Sequence, residues 1–312
     1  MRRAIPVAVA MSIAACSRPT DEPSAPDAGG PTGSVPDAAP PPSPDAALAP
    51  DAAREQPAFS YLTINLWNAY LNGGDWEARR GMVADAITAW APDAVCLQEV
   101  VDSDSLDNGA ELIAAATGYE VYYVQTHEAF VFREGIAVLS PWPIAGAESQ
   151  SLPITDFGIA ERAILAVELA TPAGPKRVFC SHMSIDSDEQ RKADESVAAW
   201  QFMDARRTAG PALFAGDLNA QPDTLAMRVL RGAATHAGVT GDLADAWLAA
   251  RPTDPGMTHP SDAPEKRIDY VYVVPGDTTP MPAEIDCDRV FTEPTDGVYA
   301  SDHVGLLCTL RE

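Results

Sequence analysis

The sequence predicts an α/β fold in which two mixed β-sheets pack against each other and helices lie outside them. From Phe59 onward, apolar runs of strand length outnumber runs with helical spacing. Several strand-like runs also follow one another with no helix between them, which argues against a doubly wound parallel sheet. This region has about 250 residues, enough for one domain with a sizeable core.

Apolar periodicity and turn residues place the individual elements. The predicted strands lie within 59–70, 94–100, 119–126, 135–140, 161–172, 176–183, 211–219, 267–274, 283–291 and 303–310. The predicted helices lie within 73–93, 108–118, 187–208, 224–232 and 243–250. In the first helix, Asp75 is a candidate N-cap and Met82, Val83, Ile87 and Trp90 recur at helical spacing.

The first 57 residues predict an export signal and a tether. Arg2 and Arg3 precede an apolar run that is too short to span a bilayer, and the run ends in Ile13-Ala14-Ala15-Cys16, which resembles a bacterial lipobox. The resemblance implies that residues 1–15 are removed and that Cys16 carries a lipid anchor, so that the protein faces the periplasm or the cell surface. An ordinary signal peptide with a chance cysteine is the alternative.

The composition after Cys16 predicts a spacer, followed by one domain at 58–312. Residues 16–57 repeat Pro-Asp-Ala with few large apolar residues, and such a segment cannot build a core. The chain has a formal net charge of −24 at pH 7. This charge disfavours general nucleic-acid binding, because Lys and Arg must replace the counterions of the phosphates. The charge is compatible with a small or zwitterionic phosphoester, or with any substrate that is held through a divalent metal.

The four cysteines of the domain show no Cys-x-x-Cys spacing, so no zinc site is predicted. Cys96 and Cys180 lie in apolar strands and are expected to be buried thiols. Cys287 and Cys308 both lie near the final strands and can pair in an exported protein. Their pairing is left open by the sequence.

Polar side chains stand where the predicted strands begin or end. They are Asn65, Glu99, His182, Asp217, Asn219, Asp269 and Ser301-Asp302-His303. Each alone is explained as a turn residue, a cap or a solvated group. Together they supply the oxygen ligands that Mg²⁺ prefers and imidazoles that can move a proton or donate to a phosphoryl oxygen.

An ordered set of motifs resembles the endonuclease/exonuclease/phosphatase superfamily. The motifs are TINLWN, APDAVCLQEV, EGIAVLS, CSHM, AGDLN, KRIDYVYV and SDHVGL, and the resemblance covers about residues 59–311. Single motifs are weak, whereas Gln-Glu-Val, Gly-Asp-Leu-Asn and Ser-Asp-His in this order are specific. The resemblance implies a four-layer α/β/β/α sandwich of the DNase I type and a phosphoester hydrolase that uses Mg²⁺ or Mn²⁺.

The same resemblance implies roles at the metal and the substrate. Glu99 would be the principal metal ligand, with Asn65 assisting at the metal or phosphate and Asp302 as a second metal-side carboxylate. Arg162 lies where many relatives have an arginine near the substrate. Glu134 precedes a motif strand as in several relatives, and a surface acid beside its neighbouring arginine is an equal alternative.

On the phosphate side, the resemblance implies that His303 is the general base and that Asp269 orients it. His182 would donate a hydrogen bond to the phosphoryl oxygens. Asp217 and Asn219 would position the attacking water and the phosphate. Whether Asp217 or His303 takes the proton from water is left open.

The resemblance does not identify the substrate. The loops at 99–111, 184–190 and 293–297 are acidic, which disfavours a nucleic-acid groove. We expect a phosphodiesterase that acts on a lipid headgroup or on a small phosphoester outside the cytoplasm. We also expect it to be a monomer. The chain lacks the long apolar hairpin of a membrane-inserting sphingomyelinase, which weakens that subtype. A nuclease is the second hypothesis. An inactive binding module is the third, disfavoured because Glu99, Asp217 and His303 are all present.

The remaining histidines have no partner motif. His127, His236 and His259 lie in polar surroundings and are expected to be solvated.

Overall fold

The computed structural model describes residues 58–128, 131–156, 160–279 and 281–311. Its strands are β1 (Ala58–Asn65), β2 (Ala94–Asp102), β3 (Glu120–Glu128), β4 (Arg133–Ser140), β5 (Ile144–Asp156), β6 (Ala160–Thr171), β7 (Gly174–His182), β8 (Ala212–Asp217), β9 (Ala244–Asp245), β10 (Asp269–Val274), β11 (Glu284–Val290) and β12 (Gly305–Arg311). Its helices are α1 (Trp76–Trp90), α2 (Gly109–Thr117), α3 (Glu189–Asp204), α4 (Leu225–Leu230) and α5 (Ala246–Ala250).

The strands form two mixed sheets that pack face to face. Within the described residues, one six-stranded sheet has the order β11-β12-β1-β2-β4-β3 and the other has the order β5-β6-β7-β8-β10-β9. Successive residues of a strand face opposite sides. Tyr61, Cys96 and Val271 accordingly belong to a core between the sheets. The predicted packing of two mixed sheets is confirmed.

Helices α1 to α4 cover the outer faces of the two sheets, whereas Ala246 and Trp247 of α5 belong to the core between them. Leu62 and Leu97 pack with Ile87 of α1 and Ile113 of α2 on the first sheet. On the second sheet, Phe179, Phe214 and Tyr272 pack with Phe202 of α3 and Met227 of α4. The arrangement is the predicted four-layer α/β/β/α sandwich.

Strand direction brings the polar strand ends to one edge of the sandwich. β1 and β2 are parallel, and β7 and β8 are parallel with His182 opposite Asp217. β10 runs antiparallel to β8, so that its first residue, Asp269, also lies opposite Asp217. β12 runs antiparallel to β1 and therefore begins near the end of β1. These ends meet because parallel strands share a carboxyl edge and antiparallel strands start where their neighbours stop.

Gly216 permits the close pairing of β7 and β8 beside this edge. Its φ of +150° is accessible to glycine, and an added Cβ would lie 1.9 Å from the carbonyl oxygen of Ser181. A side chain at this position would therefore push the two strands apart just before Asp217.

The prediction that Cys96 and Cys180 are buried thiols is wrong. They form a disulfide that joins β2 of one sheet to β7 of the other across 84 residues of sequence. In the chain-entropy picture, closing a loop of this length stabilises the fold by about 4–5 kcal/mol. Cys287 and Cys308 also pair, as direct neighbours on β11 and β12.

Several elements differ locally from their predicted form. β5 was not predicted, because its sequence is polar and lacks strand alternation. Trp90, which recurs at helical spacing with Val83 and Ile87, is not buried with them: it is 41% exposed and makes an edge contact with the ring of Phe291. Asp75 precedes α1 without a side-chain capping bond. The helix predicted at 243–250 begins at Ala246, because β9 comes first.

Among the described residues, no helix has both the length and the apolar character needed to cross a membrane. The signal peptide, the tether and Cys16 lie outside the described residues, so their predicted roles and the predicted boundary at residue 58 stay predictions.

Candidate active site

A buried carboxylate, that of Asp217, lies at the centre of the polar edge. Asp217 is 1% exposed, and its Oδ1 accepts the backbone N–H of Asn219 at 2.9 Å. Its Oδ2 accepts Nδ2 of Asn65 at 3.1 Å and lies 3.5 Å from Nε2 of His182 and 3.8 Å from Nε2 of His303. Side chains from both sheets therefore surround one carboxylate.

His303 is held against a second buried carboxylate, that of Asp269. The His303 Nδ1 lies 3.0 and 3.1 Å from the two oxygens of Asp269. The backbone N–H of His303 donates to Oγ of Ser301 at 3.0 Å, which fixes the loop before β12. Asp269, His303 and Asp217 thus form one array, with Nε2 of the imidazole directed to the Asp217 side.

The array keeps a proton near neutral pH because its two carboxylates and its imidazole are buried together. Burial raises the pKa of Asp217 to about 6, while the His303 charge opposes the rise. Burial lowers the pKa of His303, but the carboxylates of Asp269 and Asp217 outweigh it and raise that pKa to about 10. An imidazolium flanked by two carboxylates is therefore the favoured charge state near neutral pH.

Glu99 lies on the other side of Asn65. Its Oε1 accepts Nδ2 of Asn65 at 3.0 Å, and its Oε2 accepts the backbone N–H of Asn68 at 2.7 Å. Glu99 has a φ of +53° at a register shift between β2 and β4, and this irregularity turns its side chain into the site.

Asn65 presents its nitrogen to the carboxylates. Its Oδ1 accepts the backbone N–H of Trp67 at 2.9 Å, and this bond fixes the orientation of the amide. Its Nδ2 then bridges Glu99 and Asp217. In this orientation Asn65 positions two carboxylates, and its predicted role as a direct metal ligand stays a prediction.

Glu134 belongs to the site, so its interpretation as a surface acid is wrong. Its side chain is 15% exposed and accepts Nδ2 of Asn68. Burial, and next the nearby Glu99 carboxylate, raise the pKa of Glu134 to about 7 against the opposing effects of Arg162 and the hydrogen bond from Asn68. Two neighbouring carboxylates that repel each other have the hard oxygen donors a divalent cation prefers. Glu99 and Glu134 therefore fit such an ion.

Asp302 lies between two imidazoles at the rim of the site. Its Oδ1 is 4.0 Å from Nε2 of His303, and its Oδ2 is 3.8 Å from Nε2 of His259. The rings of His259 and His303 are 4.7 Å apart. The expectation that His259 is solvated is therefore wrong. Among the described residues, His259, Asp302 and His303 form one of two groups with clustered ligand atoms, and Glu99 belongs to neither.

The other two histidines also have partners. His236 lies 2.7 Å from Asp194 through its Nε2, and His127 meets the ring of Phe132 edge-on. Neither lies free in solvent, although neither joins the site through the contacts described.

His182 completes the site at the end of β7. Nη1 of Arg162 lies 2.9 Å from its Nδ1, and Nδ2 of Asn219 lies 3.1 Å from its Nε2. Burial, and next the Arg162 charge, lower the pKa of His182 well below its ordinary value, so the imidazole is neutral. Arg162, predicted to bind substrate, here contacts a site histidine. Its role toward substrate stays a prediction.

The four-layer sandwich and the groups at its strand ends define a DNase I-like fold. The sequence matches the model of the Endonuclease/Exonuclease/phosphatase family over residues 62–303, so the chain belongs to that family. Members of the family are phosphoester hydrolases that typically use divalent metals.

Among curated proteins, the chain is similar to a Drosophila melanogaster protein named "Putative neutral sphingomyelinase", with 24% identity over 190 residues. The match covers 55% of this chain and 41% of the relative, so the chain spans less than half of that protein's length.

Solved structures share the fold at low identity. D. rerio TDP2 complexed with a single-strand DNA product has a TM-score of 0.64 and 17% identity, over 82% of this chain and 99% of that one. A protein of unknown function from Enterococcus faecalis has a TM-score of 0.63 and 18% identity, over 81% and 100%. Truncated Caenorhabditis elegans TDP2 has 0.61 and 18%, over 82% and 98%.

Proposed function

We propose that this protein is a divalent-metal-dependent phosphodiesterase that acts outside the cytoplasm on a lipid headgroup or a small phosphoester. The observation that carries the proposal is the buried Asp217 carboxylate, which faces Nε2 of both His182 and His303. Family membership supports the chemistry in its coarser form.

The array of Asp269, His303 and Asp217 would remove the proton from the attacking water. Asp269 holds Nδ1 of His303, so that Nε2 faces Asp217 and the water position. A carboxylate–imidazole pair of this kind stabilises the imidazolium. Because His303 already carries its proton near neutral pH, the proton from water would pass to the Asp217 carboxylate that Nε2 faces, and the array would share it. We assign proton removal to the array as a unit and not to one of its members.

Phosphate binding is assigned to the β7 and β8 ends. His182 donates from Nε2 to a phosphoryl oxygen, and Asn219 stands beside it at 3.1 Å. Asn219 is fixed because its Nδ2 also donates to the backbone oxygen of Met183 at 3.0 Å. Donors that are already in place stabilise charge on the phosphoryl oxygens without reorganisation.

The metal side is assigned to Glu99, with Glu134 beside it and Asp302 nearby, and Mg²⁺ or Mn²⁺ as the ion. When bound, the cation neutralises phosphoryl charge and stabilises the leaving oxygen. The protein's own contribution is to hold Glu99 from two directions, through Asn65 and through the backbone of Asn68.

Charge and surface chemistry support a lipid or small substrate. The chain carries a net charge of −24, and nucleic-acid binding needs a basic footprint. Tyr70 and Leu71, whose backbone N–H groups donate to Asn68, are exposed apolar residues next to the metal side. Apolar neighbours suit a phosphoester that carries a hydrophobic group. The Drosophila relative's name points the same way.

A nuclease is the second candidate. It is favoured by the likeness to TDP2, whose D. rerio form was solved with a single-strand DNA product. We rank it second because the acidic composition disfavours binding of nucleic acid.

The cell envelope is the proposed location. The N-terminal signal and lipobox support it, and so do two disulfides, which persist in oxidising compartments. In this proposal Cys16 anchors the chain to a membrane, and the enzyme works as a monomer.

A substrate panel tests the proposed function. The purified protein is assayed with Mg²⁺ against bis-p-nitrophenyl phosphate, sphingomyelin vesicles, inositol phosphates and plasmid DNA. We expect hydrolysis of the aryl diester and faster turnover of a lipid or small phosphoester than of DNA, with activity lost in EDTA and restored by Mg²⁺ or Mn²⁺.

Two variants and a control accompany this panel. Glu99→Gln removes a metal-side charge and His303→Ala removes the imidazole, and each should lower kcat by about 10²- to 10⁴-fold. Glu284→Gln, at the far end of β11, should leave kcat unchanged. Full activity of either site variant, or activity that survives EDTA, would contradict the mechanism; faster turnover of DNA would support the nuclease.

A double-variant cycle tests whether Asp217 and His303 act as a unit. Asp217→Asn and His303→Ala should each cost nearly as much in kcat as the two together, because removing either disables the same proton transfer. The measurement is kcat on the aryl diester for the four proteins. Multiplicative losses would show that the two groups act independently.

Mass spectrometry of the mature protein tests the location. We expect a diacylglyceryl group on Cys16 as the first residue, and a Cys16→Ser variant should leave the membrane fraction. An unmodified N-terminus at another residue would refute the anchor without affecting the proposed chemistry.

A further inference from the structure

We propose that Arg162 is a positioning residue that acts through His182. Its guanidinium holds the imidazole in the tautomer with the proton on Nε2, so that His182 meets the phosphate as a neutral hydrogen-bond donor and not as a source of protons. The inference deepens the proposed function and rests on it for the identity of the phosphate. The tautomer itself can be measured without any substrate.

The contact at Nδ1 favours one arrangement of protons. Arg162 and His182 are both buried, and Nη1 lies 2.9 Å from Nδ1. A guanidinium has only donors and stays protonated. Nδ1 must therefore accept, and a neutral imidazole then carries its proton on Nε2.

The two neighbours of Nε2 favour opposite protonation states of this nitrogen. Oδ2 of Asp217 lies 3.5 Å away and can accept a proton from Nε2, whereas Nδ2 of Asn219 lies 3.1 Å away and can only donate. In the opposite tautomer, Asn219 would donate to a bare Nε2. The Nδ1 proton would then face the guanidinium, and the Nε2 lone pair would face a carboxylate.

Charge decides between the two tautomers. A hydrogen bond from a guanidinium is roughly twice as strong as one between neutral groups. The Asn219 amide does not depend on Nε2, because its Nδ2 also donates to the backbone oxygen of Met183. The tautomer with Nε2–H therefore satisfies both charged neighbours and sacrifices only a neutral contact.

The same neighbours keep the imidazole neutral. Burial, and after it the cations Arg162, His303 and Lys192, lower the pKa of His182. Asp217 is the carboxylate that faces its Nε2, and its negative charge is shared with His303. An imidazolium at this place would put a second positive charge against Arg162.

Arg162 is itself held from the metal side of the site. Its Nη1 lies 4.0 Å from Oε1 of Glu134, and Glu134 accepts Nδ2 of Asn68. Asn68 also donates its backbone N–H to Glu99. A continuous polar chain therefore runs from the carboxylate assigned to the metal to the imidazole assigned to the phosphate.

Nitrogen NMR of protein labelled with ¹⁵N-histidine tests the tautomer. The chain has five histidines, and a His182→Gln variant identifies the His182 resonances. We expect wild-type His182 to carry its proton on Nε2, with Nδ1 as an unprotonated acceptor. Arg162→Met, which removes the charge and the donor at Nδ1, should raise the fraction of the tautomer with the proton on Nδ1, because only Asp217 at 3.5 Å then opposes donation from Asn219 at 3.1 Å to Nε2.

Kinetics of the same variants test the consequence. Arg162→Met should lower kcat on the aryl diester by about tenfold or more while KM changes less than about twofold, because the lost donor acts in the transition state. Arg162→Lys keeps a cationic donor and should restore the tautomer and most of kcat. Arg177→Met on β7 removes a surface ion pair with Glu168 and should change neither.

The outcomes separate this inference from the proposed function. A proton on Nδ1 in the wild type, or an unchanged tautomer in Arg162→Met, would overturn the inference. A rise in KM with the tautomer intact would also overturn it, because it would mean that Arg162 binds substrate directly. The wild-type spectrum decides the point even where Arg162→Met fails to fold. Absence of activity on every phosphoester would instead refute the proposed function.

Discussion

The burial of the Asp217 carboxylate is the constraint on which the rest of the site depends. An ionised group withdrawn from water must receive hydrogen bonds from the protein, and leaving it without them would cost several kcal/mol. Asn65 supplies one donor from the first sheet, and the backbone of Asn219 supplies another from beyond β8. The two sheets must therefore keep a fixed relation, which the Cys96–Cys180 disulfide reinforces between them.

Several residues around this carboxylate have strained backbone conformations. Glu99 and Asn219 both have positive φ values although neither is glycine, and Gly216 allows β7 and β8 to approach closely. Such conformations cost of order 1–3 kcal/mol each and persist where the surrounding structure holds them. Here each strained residue directs a polar group to the same edge, and the packed core between and outside the sheets supplies the stability that offsets them.

The sequence predicted the parts of the site that strand direction brings together. The pattern of apolar runs placed Asp217 and Asp269 at the end and the beginning of strands, and the resemblance assigned both to one site; the antiparallel pairing of β8 and β10 brings them to the same edge. The layers also followed from the count and order of apolar runs. Contacts across the sandwich could not be predicted in this way. The Cys96–Cys180 disulfide joins separate sheets, and the apolar sequence around each cysteine does not indicate which cysteine is its partner.

Three contacts in the site depend on the paths of loops and on side chains that extend to neighbouring segments. His259 comes beside His303 because the chain before β10 folds back over the edge. Arg162 reaches His182 across the pair β6 and β7, in which its neighbour Ala163 lies opposite His182. Glu134 is buried because Asn68, from the loop after β1, covers it. None of these distances has a signature in residue spacing, since each joins segments that are far apart in sequence.

In the proposed mechanism, the two sheets contribute opposite sides of one phosphate site. Anomalous diffraction from crystals containing Mn²⁺ and inorganic phosphate tests it most directly. We expect a manganese peak at the Glu99 carboxylate and a phosphate oxygen within hydrogen-bond distance of Nε2 of His182. Manganese at the group of His259, Asp302 and His303 with none at Glu99, or phosphate bound away from His182, would contradict it.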